Sequence, residues 1–126
     1  MKNIVDLEKR EEVYFDKETG QPYTGAYFMV YENGVKGEEG QMEQGKLDGE
    51  ITLRDENGTI LVEADYKMGE KNGIATTYYP SGHLKAVIEL QNNKRHGKLR
   101  LWYDDGGKKF EAHYIDDRLN GKQIKY

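Results

Sequence analysis

What the chain lacks excludes several classes of protein. It has no cysteine, which rules out disulfides and thiolate metal ligands. It has no uninterrupted apolar segment of helix length, and its first residues are largely charged. Neither a transmembrane helix nor a signal peptide is therefore predicted. We expect a cytoplasmic protein that does not insert directly into a membrane.

The residue patterns of catalysis and cofactor binding are also missing. Ser81 is the only serine and lies in a predicted turn, and the three histidines, His83, His96 and His113, stand at different repeat offsets. A nucleophile needs an adjacent base, and a metal ion needs converging ligands. The glycine-lysine loop at residues 45–49 lacks the Ser or Thr that ends a phosphate-binding loop. We expect no enzymatic activity, no cofactor and no metal site.

The chain is rich in glycine, and the glycines follow two regular spacings. One column recurs every 24 residues, and a second column follows nine residues behind it in the same register. The columns consist of Gly25, Gly49, Gly73, Gly97 and Gly121, and of Gly34, Gly58, Gly82 and Gly106. Two columns in one register indicate an internal repeat. Because glycine takes the positive φ of a tight turn without steric cost, each unit is predicted to be a β-hairpin.

The predicted fold is all-β, an elongated and curved single-sheet array of antiparallel β-hairpins with a 24-residue period. The apolar fraction of 36% suits such an array, since each hairpin has to bury only one face against its neighbours. We divide the chain into an N-terminal cap with a degenerate leading hairpin and a repeat array with a terminal strand. The ranges are 1–24 for the cap, 25–126 for the array, 25–48, 49–72, 73–96 and 97–120 for its units, and 121–126 for the strand.

Two loops are predicted in each unit. The first carries Asn-Gly, Ser-Gly or Asp-Gly, as in Asn33-Gly34, and should form the hairpin tip. The second is a polar loop before the next unit, in which Asn93 and Asp117 stand where earlier units have glycine. Asn and Asp are the non-glycine residues that best tolerate the left-handed region, so the same turn is predicted in every unit.

Strand alternation predicts which face of the sheet is packed. The apolar set is Ile51, Leu53, Val62, Ala64, Tyr66, Ala75, Thr77, Tyr79, Ala86, Ile88, Leu90, Leu99, Leu101, Tyr103, Phe110, Ala112 and Tyr114. The second strand of the first unit departs from this pattern, with Glu38, Gly40 and Met42. We expect that strand to be the least regular.

The opposite face of the first strands carries the candidate binding residues. Five residues after the leading glycines stand Val30, Arg54, Tyr78, Trp102 and Tyr126, and the column two residues earlier includes Phe28 and Arg100. We call these seven residues the ladder. Trp, Tyr and Arg dominate the energetics of protein interfaces, and exposed contiguous aromatic residues indicate binding. Cross-strand pairs that only stabilise the sheet are the competing explanation.

The net charge of −4 is unevenly distributed. Residues 1–72 contain 9 basic and 17 acidic residues, a net charge of −8, whereas residues 73–126 contain 10 basic and 6 acidic residues, a net charge of +4. The acidic half favours a basic protein partner, and the overall acidity argues against nucleic acid, whose phosphates need a basic surface. A solvated strand face is the plainer explanation.

The third unit contains Tyr78-Tyr79-Pro80-Ser81-Gly82-His83-Leu84-Lys85, followed by Lys94-Arg95-His96-Gly97, and Pro22-Tyr23-Thr24-Gly25 precedes the first unit. These residues resemble the MORN-repeat variant of bacterial proteins, and the resemblance extends over residues 13–126. Arg54-Asp55 departs from the aromatic pair of the pattern, and Gly107 departs from the Lys or Gln that normally follows the turn. The resemblance itself implies the curved sheet of successive hairpins.

The resemblance also implies a function. Many bacterial members are described as YwqK-like antitoxins or accompany toxin and immunity proteins, and eukaryotic members serve as scaffolds. It therefore implies a non-catalytic antitoxin or immunity protein that binds and neutralises a toxin domain, and the acidic first half of the chain favours a basic one. Two alternatives stay open: a structural scaffold or homo-oligomer formed through open sheet edges, and a carbohydrate-binding module that uses Trp102 and Tyr78.

Overall fold

The computed structural model describes the whole chain, residues 1–126, and contains strands and one 3-10 helix but no α-helix. The strands are β1 (Lys2–Asn3), β2 (Leu7–Arg10), β3 (Val13–Asp16), β4 (Gly25–Val30), β5 (Lys36–Glu43), β6 (Lys46–Leu47), β7 (Gly49–Arg54), β8 (Ile60–Lys67), β9 (Glu70–Tyr78), β10 (Leu84–Gln91), β11 (Lys94–Trp102), β12 (Lys108–Ile115), β13 (Arg118–Leu119) and β14 (Ile124–Lys125). The 3-10 helix spans Ile4–Asp6. The predicted all-β class is confirmed.

Twelve strands form one large sheet in which strands that are consecutive in the chain are neighbours in space. The order is β1-β4-β5-β7-β8-β9-β10-β11-β12-β13, with β6 paired to β5 and β14 paired to β12. All these pairs are antiparallel except β1 with β4, which is parallel. Strands β2 and β3 form a separate two-stranded sheet. The array of antiparallel hairpins is therefore the one that the repeat predicted.

The loop at each hairpin tip is a turn that ends on a left-handed glycine. In the first tip the Gly34 N–H donates to Tyr31 O over 2.9 Å, and Gly34 has φ +87°. Asn33 does not have a positive φ, and its side-chain oxygen instead accepts the Val35 N–H at 3.0 Å. Close to each tip the pairing register also shifts by one residue, because Gly37, Leu61, Lys85 and Lys109 are extra residues on the second strands, as in a β-bulge.

The polar loop between successive hairpins is the tighter of the two turns. Both of its residues have positive φ, as in type I′ turns, whose twist matches that of the flanking strands. The φ values are +50° and +68° at Asn92 and Asn93, and +49° and +67° at Asp116 and Asp117. The predicted replacement of glycine by Asn93 and Asp117 in the same turn is confirmed.

Side-chain hydrogen bonds repeat with the period of the array and join consecutive repeats. Near the tips, Tyr31 Oη donates to Arg54 O at 2.6 Å, and Tyr79 Oη donates to Trp102 O at 2.7 Å. In each pair the two residues are 23 positions apart. The first and third repeats thus bind the backbone of the repeat that follows them.

The two faces of the sheet separate as the alternation predicts. We call the face with Ile51, Ala64 and Leu99 the groove face, and the face with Thr52 and Arg100 the ladder face. The buried apolar residues of the array lie on the groove face: Tyr27, Met42, Ile51, Ala64, Ala75, Ala86, Leu99 and Ala112. In the later repeats no second layer covers the groove face, so the buried side chains there are mostly alanines sheltered by their own neighbours.

The N-terminal segment covers the groove face at the first repeat. Its β2–β3 hairpin places Leu7 against Tyr27, Met42 and Ile51, and these four residues form the buried apolar cluster of the molecule. The Tyr27 side chain is fully buried, and its Oη donates to Glu38 Oε2 at 2.6 Å. Burial and this hydrogen bond raise the pKa of Tyr27. The hydrophobic core is therefore concentrated at one end of the array.

The expected irregularity of the second strand in the first unit is confirmed in its pairing: only Glu38 and Glu39 of β5 are in register with β7, whereas β8 and β10 each have five residues in register with the strand that follows. Strand β5 nevertheless has eight residues, like β8, β10 and β12. Its glycines leave room for large neighbours, since a Cβ built on Gly40 would collide with Ile51 Cδ1. Met42 is only 2% exposed because the N-terminal segment packs on this region. Strand β5 departs from the apolar pattern in the region that the N-terminal segment covers. The alternation within a single strand does not show that another segment packs on it.

Candidate functional site

The ladder residues lie on the ladder face, and several are tied to carboxylates of the preceding strand. Arg54 Nη1 contacts Glu39 Oε1 at 2.9 Å, and Tyr78 Oη donates to Glu63 Oε1 at 2.8 Å. A third pair, Tyr126 Oη with Glu111 Oε2 at 2.8 Å, has the same separation of 15 residues. Position 87, which is 15 residues before Trp102, holds valine. These pairs stabilise the sheet and fix the orientation of the ladder side chains.

These hydrogen bonds shift two tyrosine pKa values. The bond to Glu63 and partial burial raise the pKa of the Tyr78 hydroxyl. The bond to Glu111 raises the pKa of the Tyr126 hydroxyl, although that side chain lies at the surface. In both cases the carboxylate accepts a hydrogen bond from the phenol hydroxyl and so disfavours loss of its proton. The hydroxyl groups are thus neutral donors at physiological pH and do not act as bases.

The structure brings together the ladder residues of the fourth repeat and of the terminal strand. Arg100, Trp102 and Tyr126 line a shallow cleft of about 70 Å³ together with Lys108 and Glu111. Arg100 Nε lies 3.7 Å from Glu111 Oε1. Phe28 and Val30 belong to the other end of the sheet, on β4. The ladder is therefore a row along the array rather than one compact site, and its role in binding stays a prediction.

Three carboxylates, those of Glu50, Asp65 and Glu89, lie on the ladder face in the second and third repeats, and we call them the carboxylate row. Glu50 lies directly opposite Asp65, and Ile74 lies directly opposite Glu89. Neither Glu50 nor Asp65 forms an ion pair, and Ile74 beside them is 49% exposed. Like charges directly opposite each other destabilise a sheet. The charge count of the sequence indicated an acidic half of the chain but not this row, which the strand register brings together.

The groove face of the middle repeats is the second candidate surface, although the strand alternation predicted it to be the packed face. An open groove of about 340 Å³ runs over β7 to β11 and is lined mainly by apolar side chains. We call it the groove; its main lining residues are Leu53, Val62, Tyr66, Thr77, Ile88 and Leu90. Alternation gives the orientation of side chains but not whether another layer covers them. The low apolar content of the chain was the signal that no such layer exists.

One cluster contains the three residue types of a hydrolase triad but not its geometry. Ser81 Oγ donates to Asp104 Oδ1 at 2.5 Å, and His83 Nδ1 lies 3.3 Å from the same carboxylate oxygen. The serine hydroxyl is therefore directed at the carboxylate and not at the imidazole that would have to accept its proton. His83 Nδ1 also contacts Asp104 O. The cluster joins the third hairpin tip to the fourth.

The structure offers no assembled metal site among its carboxylates and histidines. No group of three or more His, Asp or Glu side chains converges closely enough to hold an ion. No helix is present that has the length and apolar character needed to cross a bilayer.

Comparison with known proteins identifies the repeat. The family model described as MORN repeat variant matches residues 47–68, 71–92 and 95–116, which together make up just over half of the chain. Each matched segment begins two residues before a leading glycine and ends on the first residue of a type I′ turn. No curated protein and no solved structure matches the chain. Residues 25–46 of the first repeat, whose pattern departs at Glu38 and Gly40, lie outside the matched segments.

Proposed function

Because the chain belongs to the MORN repeat variant family, whose repeats are generally non-catalytic binding modules, we propose that its ladder face binds a basic protein domain. The observation that carries the proposal is the carboxylate row on that face. Glu50 and Asp65 lie opposite each other, and neither pairs with a Lys or Arg side chain. A folded protein that retains such a pair forgoes stability, and a basic partner would turn the repulsion into attraction.

The ladder supplies the apolar and aromatic anchors of the same surface. The tyrosine and arginine side chains are held by Glu39, Glu63 and Glu111, so less rotamer entropy is lost when a partner binds. Trp102 and Tyr126 lie beside the shallow cleft and can contact an apolar side chain of the partner. Charge then directs the encounter, and the ladder supplies the contacts.

The specific form of the proposal is an antitoxin or immunity protein that acts in the cytoplasm and occludes a basic toxin domain. It requires a partner encoded beside this chain. The first experiment is co-expression with the neighbouring toxin candidate, followed by purification of the complex and a growth-protection assay. A toxin candidate that neither co-purifies with the chain nor loses toxicity in its presence would refute the antitoxin proposal.

The second experiment tests the carboxylate row itself. The double variant Glu50→Gln with Asp65→Asn should weaken binding of the partner by at least about tenfold and reduce its salt dependence. The matched control is Glu32→Gln with Glu56→Gln, which changes the net charge equally at exposed hairpin tips. Equal effects of the two double variants would show that only net charge matters. A stable homo-oligomer without any partner, seen by light scattering, would instead favour the scaffold function.

A further inference from the structure

We call the apolar bottom of the groove its floor, and the basic residues Lys71, Lys85 and Lys109 its rim. Its lining contains no carboxylate, and the charged residues among the lining are Lys71 and Arg95. Arg95 is paired with Asp117 at 3.1 Å, but Lys71 forms no ion pair. At the tip end, Lys85 Nζ and Lys109 Nζ lie 5.5 and 5.6 Å from the ring centroids of Tyr79 and Tyr103 and have no carboxylate partner. The free ammonium group of Lys71 therefore lines the groove, and those of Lys85 and Lys109 lie towards the hairpin tips, outside its lining.

The apolar side chains of the groove are recessed. None of them belongs to the exposed large hydrophobic residues of the chain, which lie at the termini, the turns and the ladder face. A surface that inserts into a bilayer presents protruding apolar side chains. A recessed apolar floor with a basic rim instead matches a chain segment that inserts its own side chains.

The molecule itself shows what kind of segment the groove face accepts. At the first repeat this face is covered by β2, where Leu7 is 6% exposed and packs on Tyr27 and Met42. Leu7 stands between Asp6 and Glu8, both of which are exposed. The covering segment is thus an apolar residue flanked by carboxylates. The groove continues the same face beyond the point where this segment ends.

We propose that the groove binds a segment of a partner protein that has apolar side chains at its centre and carboxylates near its ends. The apolar centre occupies the floor near Val62, Thr77 and Ile88, and the carboxylates pair with Lys71, Lys85 and Lys109. This site lies on the face opposite to the ladder and does not depend on the proposed basic partner. The chain therefore has two binding surfaces of opposite charge preference.

The probe is a display library of random peptides of about 12 residues, selected on the full-length chain. Enriched peptides should contain Leu, Ile, Val or Phe flanked by Asp or Glu. An enriched peptide, synthesised and titrated, should shift the NMR methyl signals of Leu53, Val62 and Ile88, whereas those of Ile74 on the ladder face should not move.

Two variants test the charge requirement with the fold preserved. The triple variant Lys71→Glu, Lys85→Glu, Lys109→Glu reverses the charge of the rim. It should weaken peptide binding by at least about tenfold. Its control is Lys94→Glu, Lys98→Glu, Lys122→Glu, which makes the same charge change at exposed positions outside the groove. The control variant should bind the peptide almost as the natural chain does. Circular dichroism verifies that both variants are folded.

Four outcomes would overturn the proposal. Enrichment of peptides without acidic residues would show that the rim lysines do not contribute to binding. Equal binding by the two variants would show the same. Binding to phosphatidylglycerol vesicles that the rim variant loses would assign the face to a membrane instead. A dimer of the natural chain that the rim variant abolishes would assign it to a second copy.

Discussion

At the residue scale, the leading glycines have a different role from the one that their spacing predicted. Gly97 lies within β11 and not in a turn, at a place where the pairing with β10 shifts register between Ile88 and Leu90. Its φ is +123°, and a Cβ built there would lie 2.9 Å from Glu89 Cβ. The spacing in the sequence indicated that glycine is required at this position, but not whether it forms a turn or a bulge. Both structures call for a positive φ.

The substitution Gly97→Ala should therefore destabilise the protein more than Gly82→Ala. Both positions have positive φ, +123° and +92°, but the space around Gly82 is open. We expect the strain of the backbone, about 1 to 3 kcal/mol, at both sites. At Gly97 the new methyl group also displaces the Glu89 carboxylate from the Lys98 N–H, to which it is bonded at 2.6 Å. Urea denaturation of both variants measures the difference, and equal losses would contradict the steric argument.

At the element scale, the type I′ turns were predictable and the tip turns were not. The replacement of glycine by Asn93 and Asp117 indicated a left-handed position in the polar loop, and both residues have positive φ there. The tips were expected to use Asn-Gly in the same way. Asn33 accepts a backbone hydrogen bond instead, because the longer loop requires only one left-handed residue. The number of residues that the loop contains depends on strand register, which the dipeptide alone does not specify.

The turn at Asp117 should respond to acid. Asp117 Oδ1 accepts the Arg95 N–H at 2.7 Å, and this bond lowers the pKa of the carboxyl below 3.8. Because the folded-state pKa is the lower one, the ionised form contributes stability above the unfolded-state pKa, and that contribution is lost as pH falls through the folded-state value. In the preceding repeat Asn93 Oδ1 makes the same bond to the Lys71 N–H at 2.7 Å without a titrating group.

We expect Asp117→Asn to retain the turn and to remove this acid response. NMR titration of the Arg95 amide should show a shift between neutral and acidic pH in the natural chain and none in the variant. The control is Asp116→Asn, since the Asp116 carboxylate only approaches His96 Nδ1 at 3.8 Å. If the Arg95 amide titrates equally in all three proteins, the carboxylate of Asp117 is not the group that it senses.

At the scale of the whole molecule, the two ends of the array differ. The first repeat has a core made with the N-terminal segment, whereas Leu119, Ile124 and Tyr126 near the other end are 43% to 54% exposed. The repeat period predicted four equivalent hairpins, and the alternation predicted their apolar face correctly. Neither predicted which hairpin is covered, because Leu7 is far from the array in sequence and carries no periodic signal. Because the N-terminal segment covers the groove face only at the first repeat, the groove over the middle repeats stays open.

This asymmetry predicts a local response to the loss of a core side chain. Leu7→Ala removes the residue that joins the N-terminal segment to Tyr27 and Met42, and the expected loss is about 2 to 5 kcal/mol. Since repeats are coupled mainly to their neighbours, hydrogen exchange should accelerate in β4, β5 and β7 and remain unchanged in β11 and β12. Leu119→Ala, at an exposed position, should leave β4 and β5 protected. Acceleration throughout the sheet after Leu7→Ala would show instead that the array unfolds as a single unit and that the covered end stabilises all of it.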